Sequence, residues 1–146
     1  LLIYTDGSQR EVNGVRRVGA AAVAYCGGCE VKAFAHGLGE DAEVYDGELA
    51  ALMLASQFAT NFAREHPHLR HIHFFADNTA AIGTIFDPRP HAGQRYSRVF
   101  YERICKALDE DERLEVEVEW CPGHKDIAGN ERADALAKRA AEEHST

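Results

Sequence analysis

Four carboxylic acids stand out because of where they fall. Asp6 follows a short apolar run, and Asp77 ends a second one. Glu48 lies in the first turns of a long helical stretch, with no Lys or Arg three or four residues away to pair with it. Asp134 lies near the start of the last helical stretch. Strand ends and helix starts gather at one edge of a sheet, so these acids could converge. Converged carboxylates repel and force one another's protonation unless a cation is present. Their oxygens suit hard divalent ions such as Mg²⁺ or Mn²⁺, and two such ions about 4 Å apart can clamp an in-line phosphoryl displacement. Each acid also has an ordinary reading. Asp6 could be a turn residue, Asp77 a helix cap, Glu48 a partner of the helix dipole, and Asp134 half of a surface ion pair with Lys138. Single acids are easily explained in this way; four at successive element junctions are not.

The elements that would carry them follow from pattern. Leu1–Thr5 predicts a strand running into a turn at Asp6-Gly7-Ser8, followed by a loop holding Asn13-Gly14. Strands at Gly19–Cys26 and Glu30–His36 flank Gly27-Gly28, a pair suited to a two-residue hairpin turn. A helix is expected from Glu43 to about Arg64, with Leu52, Ala55, Ala59 and Phe62 on one face. Beyond Pro67, Ile72–Ala76 predicts a strand, and Asp77-Asn78-Thr79 opens a helix reaching roughly Phe86. A third helix is expected from Gln94 or Ser97 to Leu108. Leu114, Val116, Val118 and Trp120 alternate with glutamates, the period of a strand with one face in the core. Ala128–Glu143 predicts the last helix. The order βββ-α-β-α-α-β-α, with three hairpin-linked strands followed by two crossovers, gives an α/β fold with a mixed sheet covered by helices.

Composition narrows the function classes. The 146 residues suit one domain, and 45% apolar with 27% charged is the profile of a globular chain. No apolar run is longer than Leu49–Ala55, which is far short of the about 18–20 residues a bilayer span needs. No membrane association is expected, and no signal peptide is seen. Starting at Leu1 on an apolar run, residues 1–146 are expected to be one domain of a longer protein. The net charge of −8 argues against a general affinity for polyanions, although arginines collect at Arg16–Arg17 and along Arg89, Arg95, Arg98 and Arg103. Four cysteines without a disulfide framework suit a reducing, intracellular compartment, nucleus or cytoplasm. Cys26 and Cys29 read as strand residues beside the turn. The histidines His66, His68, His71 and His73 straddle Pro67 and a strand start, so they cannot all face one metal and read as solvated.

Tyr4-Thr5-Asp6-Gly7-Ser8, Asp46-Gly47-Glu48-Leu49-Ala50-Ala51 and Phe75-Ala76-Asp77-Asn78 resemble the first three signature blocks of type 1 ribonuclease H. Trp120-Cys121-Pro122-Gly123-His124, continuing to Gly129-Asn130-Glu131-Arg132-Ala133-Asp134-Ala135-Leu136-Ala137, resembles the fourth. The blocks keep the family's order and span Tyr4 to Lys138. The resemblance implies a ribonuclease H-like fold with a five-stranded sheet in the order 3-2-1-4-5, strands 1–3 antiparallel and helices on both faces. It implies a two-metal endonuclease that cuts the RNA strand of RNA–DNA hybrids and leaves 5′-phosphate and 3′-hydroxyl ends. Asp6 would bridge two Mg²⁺ ions (Mn²⁺ as substitute), Asp134 would share the ion that activates water, and Glu48 and Asp77 would hold the other. His124 would shuttle a proton or assist product release. Ser8, Asn13, Tyr45 and Asn78 would contact the hybrid.

Two departures bear on substrate handling. Tyr45 stands where the family usually carries an amide side chain. The segment Phe86–Ser97 is short and lacks the Lys- and Trp-rich helix that many cellular members use to grip the DNA strand. Together with the acidic charge, these features fit a retroelement domain, such as that of a non-LTR retrotransposon, whose covalently linked reverse transcriptase holds the hybrid; a monomer is expected. The rivals are a resolvase- or integrase-like nuclease, a non-cutting hybrid-binding module, and a purely structural domain. The Pro-Gly-His block argues against the first, and the four retained carboxylates argue against the other two.

Overall fold

The computed structural model describes residues 1–87, 89–122 and 127–143. Nine elements follow in the chain: β1 (Leu2–Val12), β2 (Val15–Cys26), β3 (Cys29–Gly39), α1 (Val44–Glu65), β4 (His71–Ala76), α2 (Thr79–Thr84), α3 (Gln94–Glu110), β5 (Glu115–Trp120) and α4 (Ala128–Glu143). They form one sheet in the order β3-β2-β1-β4-β5. The pairs β1–β2 and β2–β3 are antiparallel, whereas β1–β4 and β4–β5 are parallel.

The hairpins are shorter-looped than the sequence pattern predicts. Strand β1 does not turn at Asp6-Gly7-Ser8 but runs on to Val12, paired with β2 from Leu2↔Tyr25 to Val12↔Val15. The turn is Asn13-Gly14, with φ of 52° and 78°, the positive values a two-residue hairpin loop demands. Gly7 is in the strand for a packing reason: a Cβ there would lie 2.4 Å from the Glu48 backbone nitrogen. The Gly27-Gly28 turn is as expected, with φ of 61° and 82°, and Cys26 and Cys29 are paired across it as free thiols.

One face of the sheet carries the main core. Ile3, Ala22, Ala24, Ile72 and Phe74 meet Leu49, Leu52, Ala55 and Ala59 of α1, with Phe100 and Ile104 of α3 behind them. Burying such side chains contributes about 1.5–3 kcal/mol each. The opposite face is covered by α4, which packs chiefly on β1, β2 and β3. Small residues make that seam close; a Cβ on Gly19 would come within 2.2 Å of the Ala137 carbonyl oxygen. On β5 the expected alternation fails at its end. Leu114 is buried and Val116 and Val118 are half-buried, but Trp120 is 52% exposed, because β5 is the edge strand and its last residue outruns the helices.

Candidate active site

The pairing of β1 with β4 and of β4 with β5 stops at one level, although β1 itself runs on to Val12 against β2. Thr5 pairs with Ala76, and Ala76 with Trp120, so Asp6 and Asp77 are the next residues of adjacent strands. Two hydrogen bonds hold this level. The Thr5 hydroxyl donates to the Phe75 carbonyl (3.1 Å), and the Cys121 N–H donates to the Ala76 carbonyl (2.8 Å). Asp77 is not the cap of α2. Asn78 takes that role, its side chain accepting from the Ala81 N–H at 2.8 Å.

Glu48 is brought in by the first turns of α1. The Glu43 N–H donates to Asp46 Oδ2 at 2.9 Å, fixing the helix start. Gly47 then rides directly on Gly7: a Cβ on Gly47 would lie 3.3 Å from the Gly7 Cα and 2.9 Å from Val18 Cγ1. Gly7 was legible from the pattern only as a turn residue, yet its contact with Gly47 is what places Glu48 beside Asp6. Gly129 does the same for α4, because a Cβ there would fall 2.3 Å from the Tyr4 ring. Asp134, further along α4, hydrogen-bonds with Asp6 and is also paired with Lys138 at 2.8 Å.

Asp6, Glu48 and Asp77 each offer an oxygen within 4.8 Å of the others. Asp6 is 2% exposed and Glu48 6%. Asp6 Oδ2 and Glu48 Oε2 are buried with no hydrogen-bond partner among the described residues. Burial, then repulsion from Glu48, the hydrogen bond with Asp134 and repulsion from Asp77 push the Asp6 carboxyl from 3.8 up to about 10. Burial and the Asp77 charge push Glu48 from 4.5 up to about 8, against a lowering by the Gly7 backbone N–H. Without a counter-ion such a cluster can hold its charge only at a cost. Its donor set, all hard oxygen, suits a divalent cation.

The other residues singled out from sequence are placed differently. His124 lies outside the described residues. Ser8 is buried on β1, two residues beyond Asp6. Asn13 is the hairpin turn, roughly 23 Å along β1 from Asp6 at about 3.3 Å per residue. The Tyr45 hydroxyl is engaged by Thr84 of α2, and Asn78 by its cap. Of the arginines, Arg16 is held by Glu43 in a two-pronged pair (2.9 and 3.1 Å) and Arg89 by Asp87 at 2.7 Å, so part of the expected basic charge is already neutralised. A cleft of 440 Å³ between α2 and α3 is lined by Phe86, Gln94, Arg98 and Tyr101 but by none of the four acids.

The family model for RNase H matches residues 1–142 of this chain. In structure the chain is similar to RNase H1 from the halophilic archaeon Halobacterium salinarum, at 24% identity and a TM-score of 0.61 over 95% of both chains. It is similar to LC11-RNase H1, isolated from compost by a metagenomic approach and solved in complex with an RNA/DNA hybrid. That match has 19% identity and a TM-score of 0.70 over 96% of this chain and 95% of that one. The protease-reverse transcriptase of prototype foamy virus matches at 18% identity and a TM-score of 0.66 over 96% of this chain. The chain spans 20% of that protein's length. Among curated proteins, no sequence matches.

Proposed function

The chain belongs to the RNase H family, and from that premise we propose that it hydrolyses the RNA strand of RNA–DNA hybrids, leaving 5′-phosphate and 3′-hydroxyl ends. One observation carries the reading. Three carboxylates stand within 4.8 Å of one another at the strand ends, two of them with buried, unpartnered oxygens. Those orphaned oxygens and the all-carboxylate donor set fit divalent cations. Two Mg²⁺ ions, or Mn²⁺ in their place, would be held by Asp6 between them, with Asp134 on one and Glu48 and Asp77 on the other. When bound, such ions polarise the attacking water and neutralise charge on the leaving oxygen.

The chain's own residues supply the positioning. The β1–β4 ladder fixes Asp6 and Asp77 side by side. The Gly7–Gly47 contact sets Glu48 against them, and α4 brings Asp134 from the opposite face. His124 is assigned the proton-shuttling or product-release role that its place in the sequence block implies. Ser8, Asn78 and Tyr45 are proposed to line the hybrid's approach, Tyr45 chiefly through its ring, since its hydroxyl is committed to Thr84. With Arg16 and Arg89 already paired, grip on the hybrid is proposed to come from a covalently linked reverse transcriptase domain.

The test is cleavage of an end-labelled RNA–DNA hybrid with Mg²⁺ or Mn²⁺, with RNA–RNA and DNA–DNA duplexes and Asp77→Asn in parallel. Cutting of only the hybrid's RNA strand, lost on chelation and in the variant, is expected. A folded, cation-binding protein that cuts nothing at high concentration and low salt would point either to dependence on a partner that holds the substrate or to a hybrid-binding module; hybrid binding without cutting even at saturation would overturn the reading in favour of the latter.

A further inference from the structure

Four residues before Asp77, strand β4 carries a second group of metal-ligating side chains. They lie on the α4 side of the sheet, beyond the strands β1, β2 and β3 on which α4 chiefly packs. Here β4 presents His71, His73 and Phe75, and β5 presents Glu115, Glu117 and Glu119. The parallel register sets His73 opposite Glu117, with Glu119 one pleat further along. The His73 ring lies flat on Phe75 (5.0 Å between centroids, 18°), and Phe75 lies flat on Tyr4 (4.8 Å, 17°). This stack fixes the imidazole with Nε2 turned to the glutamates, 2.7 Å from Glu117 Oε2 and 3.6 Å from Glu119 Oε1.

The contact is not an ordinary hydrogen bond. His73 Nε2 is shut off from solvent, and no partner meets it in hydrogen-bonding geometry even though a carboxylate oxygen is so near. One donor atom from each of His73, Glu117 and Glu119 falls within 4.8 Å of the others. Ligands in a tetrahedral zinc shell stand roughly 3.4 Å apart, given metal–ligand bonds of about 2.0–2.2 Å, and the two measured separations bracket that value. The face also carries three glutamates; among the described residues of β1, β4 and β5 the one Lys or Arg on it is Arg10 of β1, which is paired with Glu142 of α4 at 3.2 Å.

We propose that His73, Glu117 and Glu119 form a second cation site, distinct from the strand-end carboxylates and suited to a borderline ion such as Zn²⁺. The imidazole sets the class, because nitrogen donors favour zinc and its neighbours over Mg²⁺. Three protein ligands leave a fourth position for water. The ion would tie β4 to β5, an edge strand of six residues, and so brace the strand whose end carries Asp77.

The experiment titrates Zn²⁺ into the whole chain with Mg²⁺ in excess, in a Cys26→Ser/Cys29→Ser background that removes the hairpin thiols. The imidazole nitrogens are followed by ¹⁵N NMR, and the melting temperature is measured in parallel. The expected result is one ion per chain, movement of His73 Nε2 to a metal-bound position, and a rise in melting temperature. In Glu117→Gln, whose side chain is 57% exposed and free to change without harm to the core, affinity should fall at least tenfold. In Asp6→Asn it should be unchanged. Zinc that binds while His73 stays unmoved, a His73 response equal in wild type and Glu117→Gln, or no binding below millimolar zinc overturns the proposal.

Discussion

At the carboxyl end of β4, Asp77 joins Asp6 and Glu48, which are 2% and 6% exposed. Four residues earlier on the same strand, His73 faces Glu117 and Glu119, whose side chains are 57% and 58% exposed. Both groups gather several acids at close quarters, yet water reaches only the second. In the buried group every negative charge is expensive, so the carboxyls keep their protons until something positive replaces them. In the open group solvent screens the charges, and their proximity costs the fold little. Burial, more than the number of acids, separates a cluster that demands a cation from one that merely accepts it.

The largest effect that would sharpen this contrast is on hydrolysis. Glu48→Gln removes a charge from the buried group while keeping its shape, and activity on the labelled hybrid should drop by about 10³-fold or more. A variant retaining even a tenth of wild-type activity would break the contrast. Next is Gly7→Ala, whose new methyl would meet the Glu48 backbone. It should cost about 1–3 kcal/mol in urea denaturation and lower hydrolysis by displacing α1.

The third effect is on pH. The Asp6 and Glu48 carboxyls titrate near 10 and 8 in the fold, against ordinary values of 3.8 and 4.5. The folded chain therefore holds more protons than the unfolded one across this range. The contribution of this pair to stability in chelator should be full below about pH 4 and be lost as pH rises toward about 10. Asp6→Asn should flatten much of that slope and, at pH 8 without cations, be more stable than wild type by on the order of 1–2 kcal/mol. Thermal melts at pH 5 and pH 9 would show it, and a wild-type stability that climbs with pH would contradict it. The smallest effect is at the open group, where Glu117→Gln in chelator should change stability by less than about 0.5 kcal/mol.

The sequence made the fold class readable because its periods are clean: the glutamate-interleaved run of β5, the apolar face of α1, and the Gly-Gly turn each admit one geometry. Glu48, Asp77 and Asp134 were legible from their places near element starts and ends, whereas Asp6 lies inside β1; the structure brings Asp6, Glu48 and Asp77 together. Other features depend on partners far along the chain. Gly7 looks like a turn residue until α1 lies across it, and Asn13 looks like a loop residue until the hairpin register makes it the turn itself. Trp120 continues an apolar alternation, but only the sheet order shows that it has outrun its cover. His73 belonged to a histidine tract that does not converge, and nothing local to the tract reveals that Glu117 and Glu119 stand opposite it.

Asp6 and Asp77 are neighbours only because β1 pairs with β4, and the hydrogen bonds along that seam join residues 70 positions apart. The β1–β2–β3 meander closes through short loops, whereas this seam closes one long one, and non-local pairings form against a larger loss of chain entropy. Cation uptake by the strand-end carboxylates should therefore lag behind hairpin formation during refolding. In a stopped-flow experiment it would act as a clock for the last topological step, timing the moment at which a folded meander becomes an enzyme.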